Sequence, residues 1–408
     1  MACFVISCIG CLPACGDNMR FSVKSWLGCA IGILVAVAVS SGMAAGAAHY
    51  VITNDDVPPR NPTSTTFYTV SNRGLLSLKQ QVLTGGVGIG GGYFGLNRLA
   101  ILDHGKTGCV YASEADSGDI IGMVVRTLQI ASRTTGSAGD IGTLGGIGLA
   151  MNSQYLYAGF TTSNTIATFQ VKPGCKLTFV ADIAVSGLQG GVVDGMAVHG
   201  DLLVVTYGDG SIESFNISAG VPVSNDDEQN STGSKNGATY PNGVDITADG
   251  HYAIFGDTAT STIVEVSDIS SGKLTPTLVY HLGRGISSSN ILLSPDETFL
   301  YITNTQGGTI TAAFFDQTTG QLSKGCISGE LKGYGNPWVY LGALALQKTT
   351  ATGGAVYVAE YGAPSSIGVI NLKSANGKCT LKESSKSPVA DPDSPGLLSI
   401  GNFPPRPF

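Results

Sequence analysis

A β-rich run of four to six residues recurs seven times along this chain at intervals of about fifty residues. The copies are VITN at 51–54, CVYASE at 109–114, YLYAG at 155–159 and LVVTY at 203–207. They continue as YAIFGD at 252–257, LYITN at 300–304 and VYVAE at 356–360. Alternating β-branched and aromatic residues bounded by Gly, Asp and Pro turns predict strands. A small apolar strand and a turn precede each copy, as in Gly243-Val244-Asp245-Ile246 or Ile291-Leu292-Leu293. A third strand follows, such as Thr262-Ile263-Val264-Glu265-Val266, and then a fourth, such as Gln321-Leu322-Ser323. One apolar residue from each first strand gives Leu99, Leu149, Met196, Val244, Ile291, Leu344 and Leu397, spaced by 50, 47, 48, 47, 53 and 53 residues. A four-stranded unit at this period is a propeller blade, because one such sheet has two apolar faces that only neighbouring sheets can cover. The predicted fold is all-β, a seven-bladed β-propeller of four-stranded antiparallel blades.

The chain enters the repeat at a second strand, around Tyr50. The first-strand-like run Leu397-Leu398-Ser399-Ile400 near the C-terminus has no blade of its own. It is expected to complete blade one and close the ring, removing an open sheet edge.

Composition agrees. The chain has 57 glycines in 408 residues, 43% apolar and only 12% charged residues, and a net charge of −7. It is too apolar for a disordered chain, and its acidic balance argues against nucleic acid, which demands clustered Lys and Arg.

Residues 19–48 read as an export signal: a basic n-region with Arg20 and Lys24, an apolar run from Trp26 to Val39, and the small-x-small site Ala45-Gly46-Ala47. The apolar run is shorter than the ~20 residues of a transmembrane helix, so only an uncleaved signal would hold the protein to a membrane. Residues 1–18 precede this signal as a mispredicted extension, with Met19 the expected start. A lipidation box at Leu12-Pro13-Ala14-Cys15 would lack a basic n-region before it. Residues 49–408 form the single propeller domain, expected to be secreted or periplasmic and monomeric. Four cysteines remain there, Cys109, Cys175, Cys326 and Cys379, which allow two disulfides in three pairings. No CxxC pair or Cys/His spacing points to zinc, so no metal or cofactor is implied. Asn216-Ile217-Ser218 and Asn230-Ser231-Thr232 are glycosylation sequons.

The Tyr-Val-Thr-Asn style of the second strand, the Ser294-Pro295-Asp296-Glu297 turn and the later Gly-x-Ile/Phe strands resemble the seven-bladed β-propeller lactonase family. That family includes bacterial 6-phosphogluconolactonases, fungal carboxymuconate cyclases and exported YVTN-repeat relatives. The resemblance covers roughly residues 49–402 and implies the fold, with lactone hydrolysis or cyclisation as the associated chemistry. Members of the family carry a Gly-Pro-Arg-His-like stretch before a first strand. Here the corresponding segments read Tyr240-Pro241-Asn242-Gly243, Ser288-Ser289-Asn290 and Leu96-Asn97-Arg98, and only Arg98 keeps part of the pattern. A phosphorylated sugar lactone, a cytosolic metabolite, is therefore not the expected substrate of an exported chain.

In a propeller, the loop entering each first strand and the loop leaving each second strand share one face around the channel mouth. The residues expected there are Asp55, Asp56, Asn97, Arg98, Glu114, Asp116, Asp194, Asn242, Asp257, Arg284, Asn290, Asn304, Glu360 and Tyr361. An acidic mouth of this kind suits a cation or a hydroxyl-rich neutral ligand. His281, with Arg284 after it, is expected to enter blade six on that face, as a general base beside an arginine clamp. The expected catalytic set is Arg98, Glu114, Asp194, His281 and Arg284. Asn97, Asn242, Asp257, Asn290, Asn304, Glu360 and Tyr361 are expected to bind ligand. Gly85 to Gly92 is an inter-blade connection, lacking the helix a nucleotide loop needs, and no Gly-x-Ser-x-Gly elbow exists. The polar insertion from Asn225 to Asn236 is expected to be an exposed loop. Three function classes fit: binding of a small molecule, glycan or partner at the mouth, an extracellular lactonase or cyclase, and a structural envelope protein.

Overall fold

The computed structural model describes residues 49–55, 63–88, 97–103, 107–135, 147–231, 241–257, 261–284, 287–305, 307–334, 340–350, 353–362, 364–392 and 397–406. The signal segment, Asp56, residues 89–92 of the glycine run and residues 232–236 of the polar insertion lie outside these. The chain runs through seven sheets in order, each antiparallel and each built outward from the ring axis.

Blade one holds β1 (Tyr50–Asp55), β2 (Ser64–Val70) and β3 (Leu76–Leu83). Blade two is β4 (Leu99–Asp103), β5 (Gly108–Glu114), β6 (Asp119–Val124) and β7 (Gln129–Thr135). Blade three is β8 (Ile147–Met151), β9 (Tyr155–Phe160), β10 (Thr165–Lys172) and β11 (Lys176–Ala184). Blade four is β12 (Val193–His199), β13 (Leu202–Tyr207) and β14 (Ser211–Asn216), with its outer edge split into β15 (Val223–Ser224) and β16 (Gln229–Asn230). Blade five is β17 (Pro241–Ile246), β18 (Tyr252–Asp257), β19 (Ser261–Asp268) and β20 (Thr275–Arg284). Blade six is β21 (Ser288–Leu293), β22 (Phe299–Asn304), β23 (Thr309–Asp316) and β24 (Gln321–Ile327). Blade seven is β25 (Tyr340–Thr350), β26 (Gly353–Tyr361) and β27 (Ser366–Ala375), edged by β28 (Lys378–Glu383) and β29 (Val389–Ala390).

The last strand, β30 (Leu397–Phe403), pairs antiparallel with β1, from Tyr50 opposite Phe403 to Asp55 opposite Leu397. The ring closes as the sequence predicts. The apolar equivalence differs at this one blade: Ile400, not Leu397, sits where Leu99, Leu149, Met196, Val244, Ile291 and Leu344 sit. Ile400 faces Thr53 just as Leu99 faces Ala112 and Leu344 faces Val358. The closing strand runs three residues longer than expected and carries a bulge near its start, which displaces the register.

The core is divided, with one apolar cluster in each of the seven gaps between adjacent blades. Buried tyrosines knit these gaps at their edges. The hydroxyl of Tyr157 in blade three donates to the Gly220 carbonyl of blade four (2.8 Å), and that of Tyr357 in blade seven to the Gly74 carbonyl of blade one (2.9 Å). Gly220 sits at φ +92°, where an added Cβ would lie 2.6 Å from the Tyr155 ring. Both disulfides also cross gaps. Cys109–Cys175 joins blades two and three, and Cys326–Cys379 joins blades six and seven. The structure thus picks one of the three pairings the sequence allows.

The first part of the polar insertion is not a free loop. Asp227 accepts from the Ser214 amide (2.9 Å) and the Leu274 amide (2.8 Å), tying the split edge of blade four to blade five. Beyond β30 the tail turns under the ring. Phe403 fills the space beside Gly108, and Arg406 bonds to Asp245 and Glu297. Among the described residues no helix is long and apolar enough to cross a membrane.

Candidate functional site

Each inner strand starts at the channel mouth and runs to the opposite end. In blades four, five and six the ladder to the second strand breaks at the start of the inner strand, and the residues set in those breaks are Asp194, Asn242 and the pair Ser289-Asn290. A bulge of this kind frees a side chain from the alternating pleat and re-aims it. The glycines that follow let the three strands touch. A Cβ on Gly195 would lie 2.2 Å from the Asn242 carbonyl oxygen, and one on Gly243 would lie 2.9 Å from the Ser289 carbonyl oxygen. Asp194, Asn242 and Asn290 therefore form a continuous arc across three consecutive blades.

The arc is buried but underused by the fold. Asp194 is 1% exposed, and neither of its carboxylate oxygens has a hydrogen-bond partner among the described residues. Burial pushes its carboxyl well above the usual range. Asn290 anchors its backbone to Thr303, whose Oγ1 accepts from the Asn290 backbone amide at 2.9 Å, yet its own Nδ2 has no partner among the described residues. Ser289 is fixed by Thr303, by Thr305 and by the Leu341 carbonyl of blade seven. Asn97 reaches from the start of blade two past blade three to blade four, where its Nδ2 donates to the Met196 carbonyl (3.3 Å).

Arg98 is fully buried. Its amide donates to Ser399 Oγ of the closing strand (3.0 Å), and burial lowers its guanidinium to about 10 against the influence of Tyr361. It remains a cation at neutral pH.

The second-strand ends form an outer tier. Asp55 accepts from Ser64 and Thr66, and Asn304 donates to Thr309 and Thr311. Asp257 is 2% exposed. Glu114 is held by Thr63 at the gap between blades one and two, and Glu360 by Ser366 in blade seven. Burial raises both carboxyls to about 7. Tyr361 and Asp116 are half-buried.

Two expectations need correction. The mouth is not a solvated acidic surface, because Asp55, Glu114, Asp194, Asp257 and Glu360 are all at most 2% exposed. Desolvation is the largest influence on the carboxyls of Glu114, Asp194 and Glu360, and it raises all three. His281 does not enter blade six at the mouth either. It lies exposed in β20, the outermost strand of blade five, opposite Ile263, and Arg284 belongs to the same outer strand opposite Ser261. The fourth strand of blade five continues through His281 and Gly283 to end at Arg284. The structure brings Asn97, Arg98, Asp194, Asn242 and Asn290 to the inner rim, and Glu114, Asp257, Asn304, Glu360 and Tyr361 to the tier around it. His281 and Arg284 stand apart.

Sequence reasoning missed Ser399, Ser289 and Thr303, which brace the rim, and Arg406, which closes the far end. A serine near the start of a first strand was a weak signal for the first two; nothing marked Arg406. Among the described residues no group of three His, Cys, Asp or Glu side chains is placed to hold a metal.

The family model "Lactonase, 7-bladed beta-propeller" matches residues 148–392, from the inner strand of blade three to the edge of blade seven. No curated protein sequence matches the chain. Among solved structures, a functionally unknown protein from Desulfotomaculum acetoxidans is similar over 86% of this chain and 99% of its own, at 15% identity and a TM-score of 0.62. A candidate 6-phosphogluconolactonase from Bacteroides uniformis covers 67% and 80% at 12% identity and a TM-score of 0.54. One from Bacteroides fragilis covers 67% and 79% at 14% identity and a TM-score of 0.52. At these identities the likeness is one of fold.

Proposed function

Since this chain belongs to the seven-bladed β-propeller lactonase family, we propose that it is an exported propeller that binds a small neutral molecule, a lactone or a hydroxyl-rich ring, at the inner rim of its channel mouth. What supports the reading is the buried carboxyl of Asp194, which has no hydrogen-bond partner among the described residues, on the arc with the Asn290 Nδ2, which has none among them either. A buried polar group left unsatisfied costs about 1–3 kcal/mol, so a fold keeps one where something outside the fold completes it. A carboxyl that burial biases toward its neutral form and a carboxamide offer donors and acceptors with little net charge, which matches hydroxyl and carbonyl groups better than phosphate. Two disulfides fit an oxidising compartment, in line with the export signal read at residues 19–48.

A second reading, lactone hydrolysis, is favoured by the same residue. A carboxyl that burial biases toward its protonated form can serve as a general acid, giving its proton to the ring oxygen as the acyl C–O bond breaks under attack by water. Arg98, fully buried beside Asn97 at the start of blade two, is a cation on the same tier.

The test is calorimetric titration with glucono-δ-lactone, its open acid and short oligosaccharides, with base uptake followed in parallel to detect ring opening. Binding that disappears in Asp194→Asn supports the reading. An unchanged affinity in that variant, or no binding of any lactone or sugar, overturns it. Ring opening lost in Asp194→Asn selects the hydrolytic reading.

A further inference from the structure

We infer that the ligand is amphipathic, with its polar ring at the mouth and a short alkyl substituent in the channel below, and that Arg406 limits the length of that substituent. This rests on the reading of the mouth given above and adds the class of molecule.

The channel between the inner strands encloses about 220 Å³. Its wall is set by the seven equivalent inner-strand positions, from Leu99 round to Ile400, and every one of them is apolar. Polar side chains occur only at its two ends: Asn97 and Asn290 at the mouth, Asp245, Asn402 and Arg406 at the floor. The space is far larger than one water requires, yet the middle offers no side chain to hold water. Several inner-strand amides are also already committed across blades. Leu149 N donates to the Asn97 carbonyl (2.6 Å), Leu293 N to Asp245 (2.8 Å) and Leu346 N to Asn402 (3.3 Å). An apolar cavity with few free hydrogen-bonding groups favours an alkyl occupant over water.

A strap of chain crosses the far end of the channel. After the closing strand, Pro404 and Pro405 cross beneath the channel, and Arg406 is pinned on the far side of the ring. Its Nη1 lies 3.0 Å from Asp245 Oδ2, and its Nη2 lies 2.6 Å from Glu297 Oε1 and 2.8 Å from the Ile246 carbonyl. The Arg406 side chain is 10% exposed. A chain entering from the mouth meets this strap as it lengthens.

The experiment is titration of the full chain with γ-butyrolactone, γ-octalactone and γ-dodecalactone beside glucono-δ-lactone. The expected result is a dissociation constant that falls roughly two- to fourfold per added methylene and then stops falling. In Arg406→Ala, and in a chain lacking residues 404–408, the gain should extend to longer substituents, with melting curves confirming that each variant is folded. Equal affinity for all γ-lactones, or a length limit unmoved in folded strap variants, overturns the inference. If glucono-δ-lactone binds in an Asp194-dependent way while alkyl length has no effect, the channel inference falls and the mouth reading stands. If nothing binds, both fall.

Discussion

The guanidinium of Arg406 bridges Asp245 and Glu297, so a residue three positions beyond the closing strand of blade one is bonded to blades five and six. The tail therefore ties the ring across its diameter, in addition to the edge-to-edge closure made by β30.

Replacing Arg406 with Ala leaves two largely buried carboxylates without their cation. Removing one partner of such a group is costly, and a loss of roughly 2–4 kcal/mol is expected. Urea denaturation of the variant should show a lower midpoint with an unchanged slope, since the extent of burial is otherwise the same.

Ring closure itself is the larger effect. Deleting residues 394–408 removes a seven-residue strand that pairs with β1 and exposes an edge beside the apolar gaps flanking blade one. Several hydrogen bonds at ~0.5–1.5 kcal/mol each, with apolar area at ~25 cal/mol per Å², amount to much of a domain's ~5–15 kcal/mol. Light scattering and calorimetry should report aggregation or a large fall in Tm. A soluble monomer with unchanged melting would show that β30 does not carry the closure.

Stability should decline from mildly acid to neutral pH. Burial raises Glu114 and Glu360 to about 7 from an ordinary 4.5. Between those values the unfolded chain has released the proton that the folded one retains, so stability is full below about 4.5 and falls as pH rises through 7. Melting at pH 5 should exceed melting at pH 8. Glu114→Gln and Glu360→Gln should each flatten the slope, and a profile unchanged in both variants would contradict this assignment.

Asp194→Asn should raise Tm at pH 8 while abolishing the shift caused by a lactone or sugar ligand. The gain follows from removing a buried group that resists ionisation, a raised carboxyl whose penalty grows with pH. Stability gained together with binding lost marks a functional residue.

Reducing the disulfides should lower stability by about 4 kcal/mol each in the chain-entropy account, given loops of 66 and 53 residues. Cys109→Ser should lower the melting point to a similar degree as Cys379→Ser, measured without reductant.

The repeat carried most of the fold. Leu99, Leu149, Met196, Val244, Ile291 and Leu344 fall at one structural position because a strand buried between sheets needs an apolar residue at a fixed place in its register, and that need is written locally. Closure was legible for the same reason: a strand without a blade, at the end of a chain that enters mid-blade, has one place to go. Register within that strand was not, since the bulge at its start depends on how β30 meets β1. The acidic residues were legible as a set but not as an environment. Whether Asp194 is solvated or buried is decided by how closely Gly195 approaches Asn242, a contact between blades. His281 was misplaced because a long fourth strand and a connecting loop share one composition, and only pairing with β19 separates them. Nothing in the sequence around Arg406 announces its partners, Asp245 and Glu297, more than a hundred residues earlier. The sequence alone determined the seven units and their joining, because each strand's propensity and period are properties of a few neighbouring residues. The tertiary structure decided which charges are buried, which cysteines meet and how the channel ends, because those depend on distances between blades that no local pattern encodes.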